Sequence, residues 1–393
     1  MPSFWRLALF DFLMLEIGAR TGRGVSVLGM NSLESFISGL PKVELHVHLV
    51  GSAPIDTVLT LARRHPERGV PTSEEGLREF YSFRDFPHFI DVYMAVSGLL
   101  SEPEDIAALI AGIARQLGAE NVRYVELQVS LYPFWAIGLP AGAVTEALDI
   151  AARDALAAHG VRIAYIFDFP GHRADPDAVR TLDHALTAPP EALIGFGIGG
   201  IEAGRAPYTG VIRSAFASAA AAGLRCVPHA GETTGAETVW EAVNFLHAER
   251  IGHGIRALED AALVEYLAGR QLPVDVSPTS NVCTRCVPTV AEHPLRAMIA
   301  AGLLVTLNSD DPPMFGTSLS NEYLVAGRDL GFSPAELAGL AGNGVRASFL
   351  GEAEKEALLA EIAAVPSSCS ASSSEPIPRR RPSRAKRPPN RQS

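Results

Sequence analysis

Two histidines near the start of the sequence, His46 and His48, lie two residues apart in a stretch rich in valine and leucine. Residues i and i+2 of a β-strand point to the same side, so both imidazoles reach one point if this stretch is a strand. An HxH pair alone is only a weak indication of a metal site. Other apolar runs, however, also end in polar residues that are unusual at buried positions: His229, Glu232, His253, Asp310 and Asp311.

Together these residues offer a set of nitrogen and oxygen donors. Three imidazoles and a carboxylate suit a divalent transition metal, with zinc the first candidate, and they leave one coordination position for water. Water bound to zinc has a pKa of about 7, so hydroxide is available at neutral pH. The residues therefore predict a metal-assisted hydrolytic reaction.

The elements that must position these residues alternate along the chain. Short apolar runs and longer segments rich in alanine and leucine follow one another, a pattern typical of βα units and a parallel sheet. The predicted strands are 43–49, 122–129, 161–169, 193–199, 224–228, 250–252, 272–276 and 303–308. The predicted helices between them are 104–117, 141–158, 208–222, 236–248, 260–268 and 295–301. This order predicts a (β/α)₈ TIM barrel, in which functional groups gather where the strands end.

Three further segments complete the predicted organisation. Two helical patterns, 55–64 and 83–100, fill the gap after the first strand and predict a helical cap beside the barrel mouth. The barrel is expected to span residues 38–365. Residues 1–37 are expected to form an N-terminal extension, with 1–29 either flexible or upstream of a true start at Met30. Residues 366–393, rich in Pro, Ser and Arg, predict a disordered basic tail.

Composition excludes several classes of protein. With 393 residues and 47% hydrophobic content the chain can bury a large core, and its net charge of -11 disfavours a globally basic nucleic-acid binder. No run approaches the roughly 18 apolar residues of a membrane span, and Asp11 and Glu16 interrupt the only stretch that resembles a signal peptide. The cysteines, among them Cys283 and Cys286, show no disulfide framework. We expect a cytoplasmic protein with no nucleic-acid or membrane partner. The sequence is compatible with a homo-oligomer.

The motifs that carry the polar residues resemble those of a known family. They are LPKVELHVHLVGS at 40–52, GFGIGGIE at 195–202, HAGE at 229–232, RIGHG at 250–254, SPTSN at 277–281 and NSDDPP at 308–313. This set, in this order, resembles the adenosine deaminase family of the amidohydrolase superfamily, and the similarity extends over about residues 38–360. The resemblance implies hydrolytic loss of the 6-amino group of an adenine nucleoside, released as ammonia.

The resemblance also implies a role for each residue. One zinc ion would be held by His46, His48, His229 and Asp310. Water adds poorly at purine C6 until ring N1 is protonated, and Glu232 is the acid expected to supply that proton if its pKa is raised. His253 would accept a proton from the attacking water or orient it. The substrate is expected to touch His48, Gly200, whose backbone N–H would reach N3, and Asp311, which would also fix the attacking oxygen.

Two departures from the family pattern bear on the substrate. Val50 stands where many members carry an acid that meets the sugar's 5′-hydroxyl, and Ile201 stands where Asp or Asn is common. Both favour a nucleoside whose 5′ side is not a free hydroxyl, as in the actinobacterial branch that deaminates 6-aminodeoxyfutalosine on the futalosine route to menaquinone. The residues expected to face the aryl ketone of that substrate are Phe83, Phe86, Phe89 and Tyr93. The residues expected to pair with its carboxylate are Arg205 or Arg285.

Other functions stay open at this point. Adenosine itself, in purine salvage, is the main alternative substrate, and free adenine is a less favoured one. A third alternative belongs to another class of protein: a catalytically silent binding module, tethered through the basic residues from Arg379 to Arg391. Such a module would be expected to have lost residues of the active site. Every metal and acid position is filled, which argues against decay.

Overall fold

The computed structural model describes residues 27–171, 174–202 and 208–366. The first 26 residues of the predicted extension, and the predicted tail from residue 367 onward, lie outside the described residues.

Eight parallel strands form the centre of the fold. They are β1 Lys42–His48, β2 Val122–Ser130, β3 Arg162–Pro170, β4 Leu193–Gly199, β5 Arg225–Ala230, β6 Ile251–His253, β7 Val274–Val276 and β8 Val305–Leu307. The strands pair in chain order, and Asp310, shortly after β8, forms a parallel bridge with Val47 of β1. The nearly closed ring confirms the predicted (β/α)₈ barrel, and each strand lies within two residues of its predicted bounds.

Helices surround the strands. They are α1 Val27–Gly39, α2 Ile55–Arg64, α3 Glu74–Phe80, α4 Phe86–Ser97, α5 Pro103–Ala119, α6 Tyr132–Ala136, α7 Ala141–His159, α8 Ala174–Thr187, α9 Gly210–Ala221, α10 Ala236–Phe245, α11 Ala261–Arg270, α12 Pro278–Cys283, α13 Leu295–Ala300, α14 Leu319–Arg328, α15 Pro334–Ala347 and α16 Glu352–Ala364. No helix in the described part of the chain combines the length and apolarity needed to cross a membrane.

The predicted helical cap is present between β1 and β2. Its central helix α4 begins after Asp85, whose side chain accepts a hydrogen bond from the backbone N–H of His88, and Pro87 occupies its first turn. One face of α4 buries Phe89 and Val92 in the hydrophobic core. The cap thereby holds α4 over the ends of the strands.

Helix α1 extends the folded body toward the N-terminus. Phe36 and Ile37 are 6% and 2% exposed and belong to the same core as the strands. The core therefore includes residues from the segment expected to be an extension, and the division of the chain at residues 37 and 365 stays a prediction.

A buried ion network closes the N-terminal end of the barrel. Arg250, just before β6, is fully buried, and its guanidinium donates hydrogen bonds to Asp275 at 2.6 Å and to Glu126. It also donates to the carbonyl oxygens of Leu45 and Ala347, each at 3.2 Å. One cation thus joins β1, β2, β7 and α15.

Removal of this cation is expected to destabilise the barrel strongly. Arg250→Met leaves two buried carboxylates without their cation, and we expect the free energy of unfolding in urea to fall by about 3–5 kcal/mol. Arg225→Met is the matched control, because the side chain of Arg225 is 51% exposed in its pair with Glu249. That loss should stay below about 1 kcal/mol. Equal losses in the two variants would contradict this account of the network.

Candidate active site

The two histidines of β1 lie on a strand that is not regular. Glu44 pairs with Val125 of β2, whereas Val47 pairs with Leu127, so β1 contains one more residue than β2 between these points. Such a bulge redirects side chains and is common beside functional sites. His46 and His48 converge as predicted, but on a bulged strand rather than by simple alternation.

Four predicted ligands meet where the strands end. Nε2 of His48 lies 3.3 Å from Nε2 of His229 and 3.2 Å from Oδ1 of Asp310. Nε2 of His46 lies 3.5 Å from the same Oδ1. Ser280 donates a hydrogen bond of 2.6 Å to Oδ2 of Asp310 and so fixes that carboxylate. The donor atoms of the three histidines all lie within 4.8 Å of one another.

The unsatisfied atoms of this cluster fit a bound cation. Both ring nitrogens of His46 and Nδ1 of His229 are buried without a hydrogen-bond partner, and buried polar atoms are rarely left unpaired. A cation among the inward nitrogens and the Asp310 carboxylate would provide the partner, with ligand types that zinc accepts. The cluster is therefore suited to a metal ion.

The backbone near the cluster is strained. Asp310 and His253 have φ angles of 66° and 63°, in the left-handed region that residues other than glycine seldom adopt. Strain of this kind persists where surrounding contacts determine the geometry, and it concentrates at functional sites.

Glu232 lies on the loop after β5 and is held by its backbone. Oε2 of Glu202 accepts hydrogen bonds from the N–H groups of Glu232, Thr233 and Thr234 at 2.9, 2.7 and 3.2 Å. The Glu232 carboxyl is 3.7 Å from Nε2 of His253. Burial, followed by the nearby carboxylates of Asp310 and Glu202, raises the pKa of Glu232 well above its usual value. The raised pKa favours the neutral carboxyl, which is the form that can donate a proton.

A chain of hydrogen bonds behind His253 fixes its tautomer. The backbone N–H of Leu295 donates to Nδ1 of His293 at 3.1 Å, so the hydrogen of that ring is on Nε2, which faces Oδ1 of Asn281 at 3.1 Å. The amide nitrogen of Asn281 then faces Nδ1 of His253 at 3.3 Å. His253 accordingly carries its hydrogen on Nε2, the nitrogen that faces the site. Burial, followed by the charge on His46, lowers the pKa of His253 to about 3.

Asp311 adjoins the cluster and points into the same space. Its Oδ1 is buried without a partner, and a Cβ at Gly51 would lie 1.6 Å from it, so only glycine leaves room there. Burial and the neighbouring Asp310 raise the pKa of Asp311 well above its usual value. Gly200, with a φ of 78°, lies at the end of β4 and lines the pocket as predicted.

The cluster lies in a pocket whose empty space, including the part open to solvent, is about 730 Å³. Phe86, Phe89 and Tyr93 of α4 line it, together with Tyr132, whereas Phe83 does not. The expectation that Phe83 faces the pocket is therefore not met: it packs on Phe89 and Phe315, with ring centroids 5.2 and 6.0 Å apart.

Two further residues considered for the 5′ end of the substrate lie away from the pocket. Arg285 is exposed and does not line the pocket, and Arg205 lies outside the described residues. Val50 is only 4% exposed and does not line the pocket either.

The sequence analysis missed several pocket residues, among them two polar ones at the ends of strands. Ser130 and Asp168, near the ends of β2 and β3, line the pocket beside His48. The signal was the one that identified the other residues, a polar side chain at the end of an apolar strand, but no motif marked them.

Gly252 is expected to be essential for the metal cluster. A Cβ there would lie 2.7 Å from Cε1 of His46 and 3.2 Å from Cγ of His229. Gly252→Ala should displace both rings and weaken metal binding by about 10- to 100-fold, the usual effect of disturbing residues around metal ligands. Gly269→Ala, where a Cβ meets nothing within 4 Å, is the control. Competition with a chromogenic chelator measures the affinity, and unchanged affinity in Gly252→Ala would refute the packing argument.

The chain is similar to several known proteins. The adenosine deaminase family model matches residues 41–365. The aminodeoxyfutalosine deaminase of Streptomyces avermitilis is 46% identical over 88% of this chain and 94% of that protein. The crystal structure of an adenine deaminase from Arthrobacter aurescens is 33% identical, with a TM-score of 0.78 over 82% of this chain and 98% of that chain.

An amidohydrolase from Burkholderia ambifaria, solved with bound Zn, is similar at 28% identity with a TM-score of 0.78, over 88% of this chain and 94% of that chain. The family match spans the whole barrel, from β1 to the last helix. The chain therefore belongs to the adenosine deaminase family, a family of aminohydrolases.

Proposed function

We propose that this protein is a zinc-dependent deaminase that hydrolyses the 6-amino group of an adenine nucleoside. The observation that carries the proposal is the convergence of one carboxylate and three imidazoles at a pocket that Glu232 and His253 also line. The proposed ligands of the ion are His46, His48, His229 and Asp310. When bound, zinc lowers the pKa of a coordinated water to about 7 and makes hydroxide available at neutral pH.

The protein's own groups have distinct tasks in this proposal. The reaction joins the oxygen of water to C6, breaks the bond between C6 and the amino nitrogen, and releases ammonia. One proton of the water leaves with the amino nitrogen as ammonia, and the other restores the proton that Glu232 gives to N1. Glu232, neutral in its buried position, donates its proton to N1 and so makes C6 electrophilic. His253 donates a hydrogen bond from Nε2 to the entering oxygen. Oδ1 of Asp311 fixes that oxygen and accepts a hydrogen bond from the purine, and the N–H of Gly200 reaches N3.

The favoured substrate is 6-aminodeoxyfutalosine, on the futalosine route to menaquinone. The similarity to the Streptomyces enzyme supports it. Phe86, Phe89 and Tyr93 suit an aromatic 5′ substituent. We propose a cytoplasmic enzyme, in keeping with the free thiols of Cys226, Cys283 and Cys286, whose partners are a small nucleoside and water. A nucleic-acid partner is not proposed.

A comparison of substrates tests the proposal. Metal-replete protein is incubated with 6-aminodeoxyfutalosine, adenosine or adenine, and the ultraviolet change of deamination gives kcat/KM for each. We expect 6-aminodeoxyfutalosine to exceed adenosine by at least about tenfold, the value of a single apolar contact. Faster turnover of adenosine would make this an adenosine deaminase. Turnover of the free base alone would make it an adenine deaminase.

A further inference from the structure

One wall of the pocket carries polar groups that the proposed reaction does not use. Asp168 is 2% exposed, and its Oδ1 accepts a hydrogen bond of 2.5 Å from Oγ of Ser130. Its Oδ2 lies 3.8 Å from Nδ1 of His48, which is too far for a direct hydrogen bond. All three side chains line the pocket. A fixed carboxylate oxygen and an imidazole nitrogen thus lie side by side without bonding to each other.

The chemistry of this pair suits a hydroxyl group. His48 directs Nε2 toward His229 and Asp310, so Nδ1 carries the ring hydrogen when Nε2 acts as a ligand. A hydroxyl between the two groups accepts a hydrogen bond from Nδ1–H and donates one to Oδ2 of Asp168. An apolar group does neither, and a second carboxylate would meet a like charge.

The orientation of a bound purine brings its sugar to this wall. Glu232 follows β5 and His253 ends β6, so the proposed N1 side of the base faces that part of the barrel. The strands run in order around the ring, which places β2 opposite β6. In a purine, C4 lies across the six-membered ring from N1, and N9 is bonded to C4. The sugar on N9 therefore faces β1, β2 and β3, where Ser130 and Asp168 lie.

We propose that Asp168, oriented by Ser130, binds a ribose hydroxyl and makes the enzyme select nucleosides over the free base. This inference rests on the proposed function and adds a specificity-determining residue to it. A free base leaves the Asp168 carboxylate buried without its partner, and sites built to bind a hydroxyl reject ligands that lack it.

The test compares ligands that differ by one hydroxyl. Inosine, 2′-deoxyinosine and 3′-deoxyinosine are not deaminated, so each gives a simple inhibition constant against the nucleoside substrate. In the wild-type protein one deoxy compound should bind about 10- to 100-fold more weakly than inosine, as expected for a hydrogen bond to a charged group. In Asp168→Asn this ratio should shrink toward one. In Ser130→Ala, which keeps the carboxylate, it should be intermediate.

Controls separate this role from others. Asp154→Asn, on the exposed surface of α7, should keep the wild-type ratio, and zinc content is measured for every variant. The inference would be overturned if the ratio of inhibition constants, deoxy compound over inosine, were the same in Asp168→Asn as in the wild type. It would also be overturned if this ratio were one in the wild type. The inference would also be overturned if Asp168→Asn lost zinc and bound all three inosine compounds equally more weakly. Asp168 would then serve to position His48 as a metal ligand. If no adenine nucleoside is deaminated at all, the proposed function itself fails.

Discussion

Replacement of Glu232 by glutamine is expected to lower kcat by about 10²- to 10⁴-fold, the usual contribution of a general acid or base. Glutamine has nearly the same shape but no proton to give to N1. The loop should stay in place, because Glu202 holds it through the backbone N–H groups of residues 232–234 rather than through the Glu232 side chain. Substrate binding should therefore change much less than turnover.

Initial rates and zinc content measure this effect. Glu265→Gln, an exposed substitution on α11, is the matched control and should match the wild type in both. A Glu232→Gln enzyme that keeps zinc and retains more than about a tenth of wild-type kcat would rule out Glu232 as the acid.

Replacement of His46 by glutamine is expected to remove the metal and to lower activity by more than about 10³-fold. A bound metal ion contributes several kcal/mol of transition-state stabilisation, which this variant would lose. His46 is fully buried, and its ring nitrogens lie within 4.8 Å of ligand atoms of His48, His229 and Asp310. His159→Gln, at the exposed end of α7, is the control.

Removal of the metal from the wild-type protein should have the same effect in reversible form. Dialysis against a chelator should abolish activity, and one equivalent of zinc should restore it. In His46→Gln the same addition should restore little, because a ligand is missing. Full activity of the dialysed wild-type protein, or of His46→Gln with no bound metal, would contradict the proposed role of the ion.

The sequence predicted the barrel well because its buried strands are marked by a strong pattern of apolar residues. Strands covered on both faces appear as apolar runs, and these marked all eight strands. Helix α8 Ala174–Thr187 was missed, since its sequence contains two aspartates and a proline in its first turn and resembles a loop. Pro176 is tolerated there because the first turn has no hydrogen bond to lose.

The cap illustrates where pattern alone fails. A helix over 83–100 would place Phe83 on the same face as the other aromatic residues. The helix instead begins at Phe86, after the cap formed by Asp85, so Phe83 precedes it and packs on Phe315. Asp85 followed by Pro87 is a pattern that predicts the start of a helix. The position of this start determines which residues belong to α4 and which face each of them occupies.

The site residues divide in a similar way. The residues predicted to be ligands and acids stood out in the sequence because histidines and carboxylates rarely end buried strands. Asp168 also ends a buried strand, but no motif marked it or Ser130, and only the fold brings both side chains to the pocket. The bulge in β1 and the left-handed φ of Asp310 arise from contacts between distant strands, which no local pattern encodes.

The central claim is that His46, His48, His229 and Asp310 hold one ion. Anomalous diffraction from crystals of the zinc-loaded protein, recorded on both sides of the zinc absorption edge, tests it most directly. We expect one strong peak per chain, about 2.0–2.2 Å from an imidazole nitrogen of each histidine and from a carboxylate oxygen of Asp310. Absence of a peak there, or a peak bound by other residues, would contradict the account.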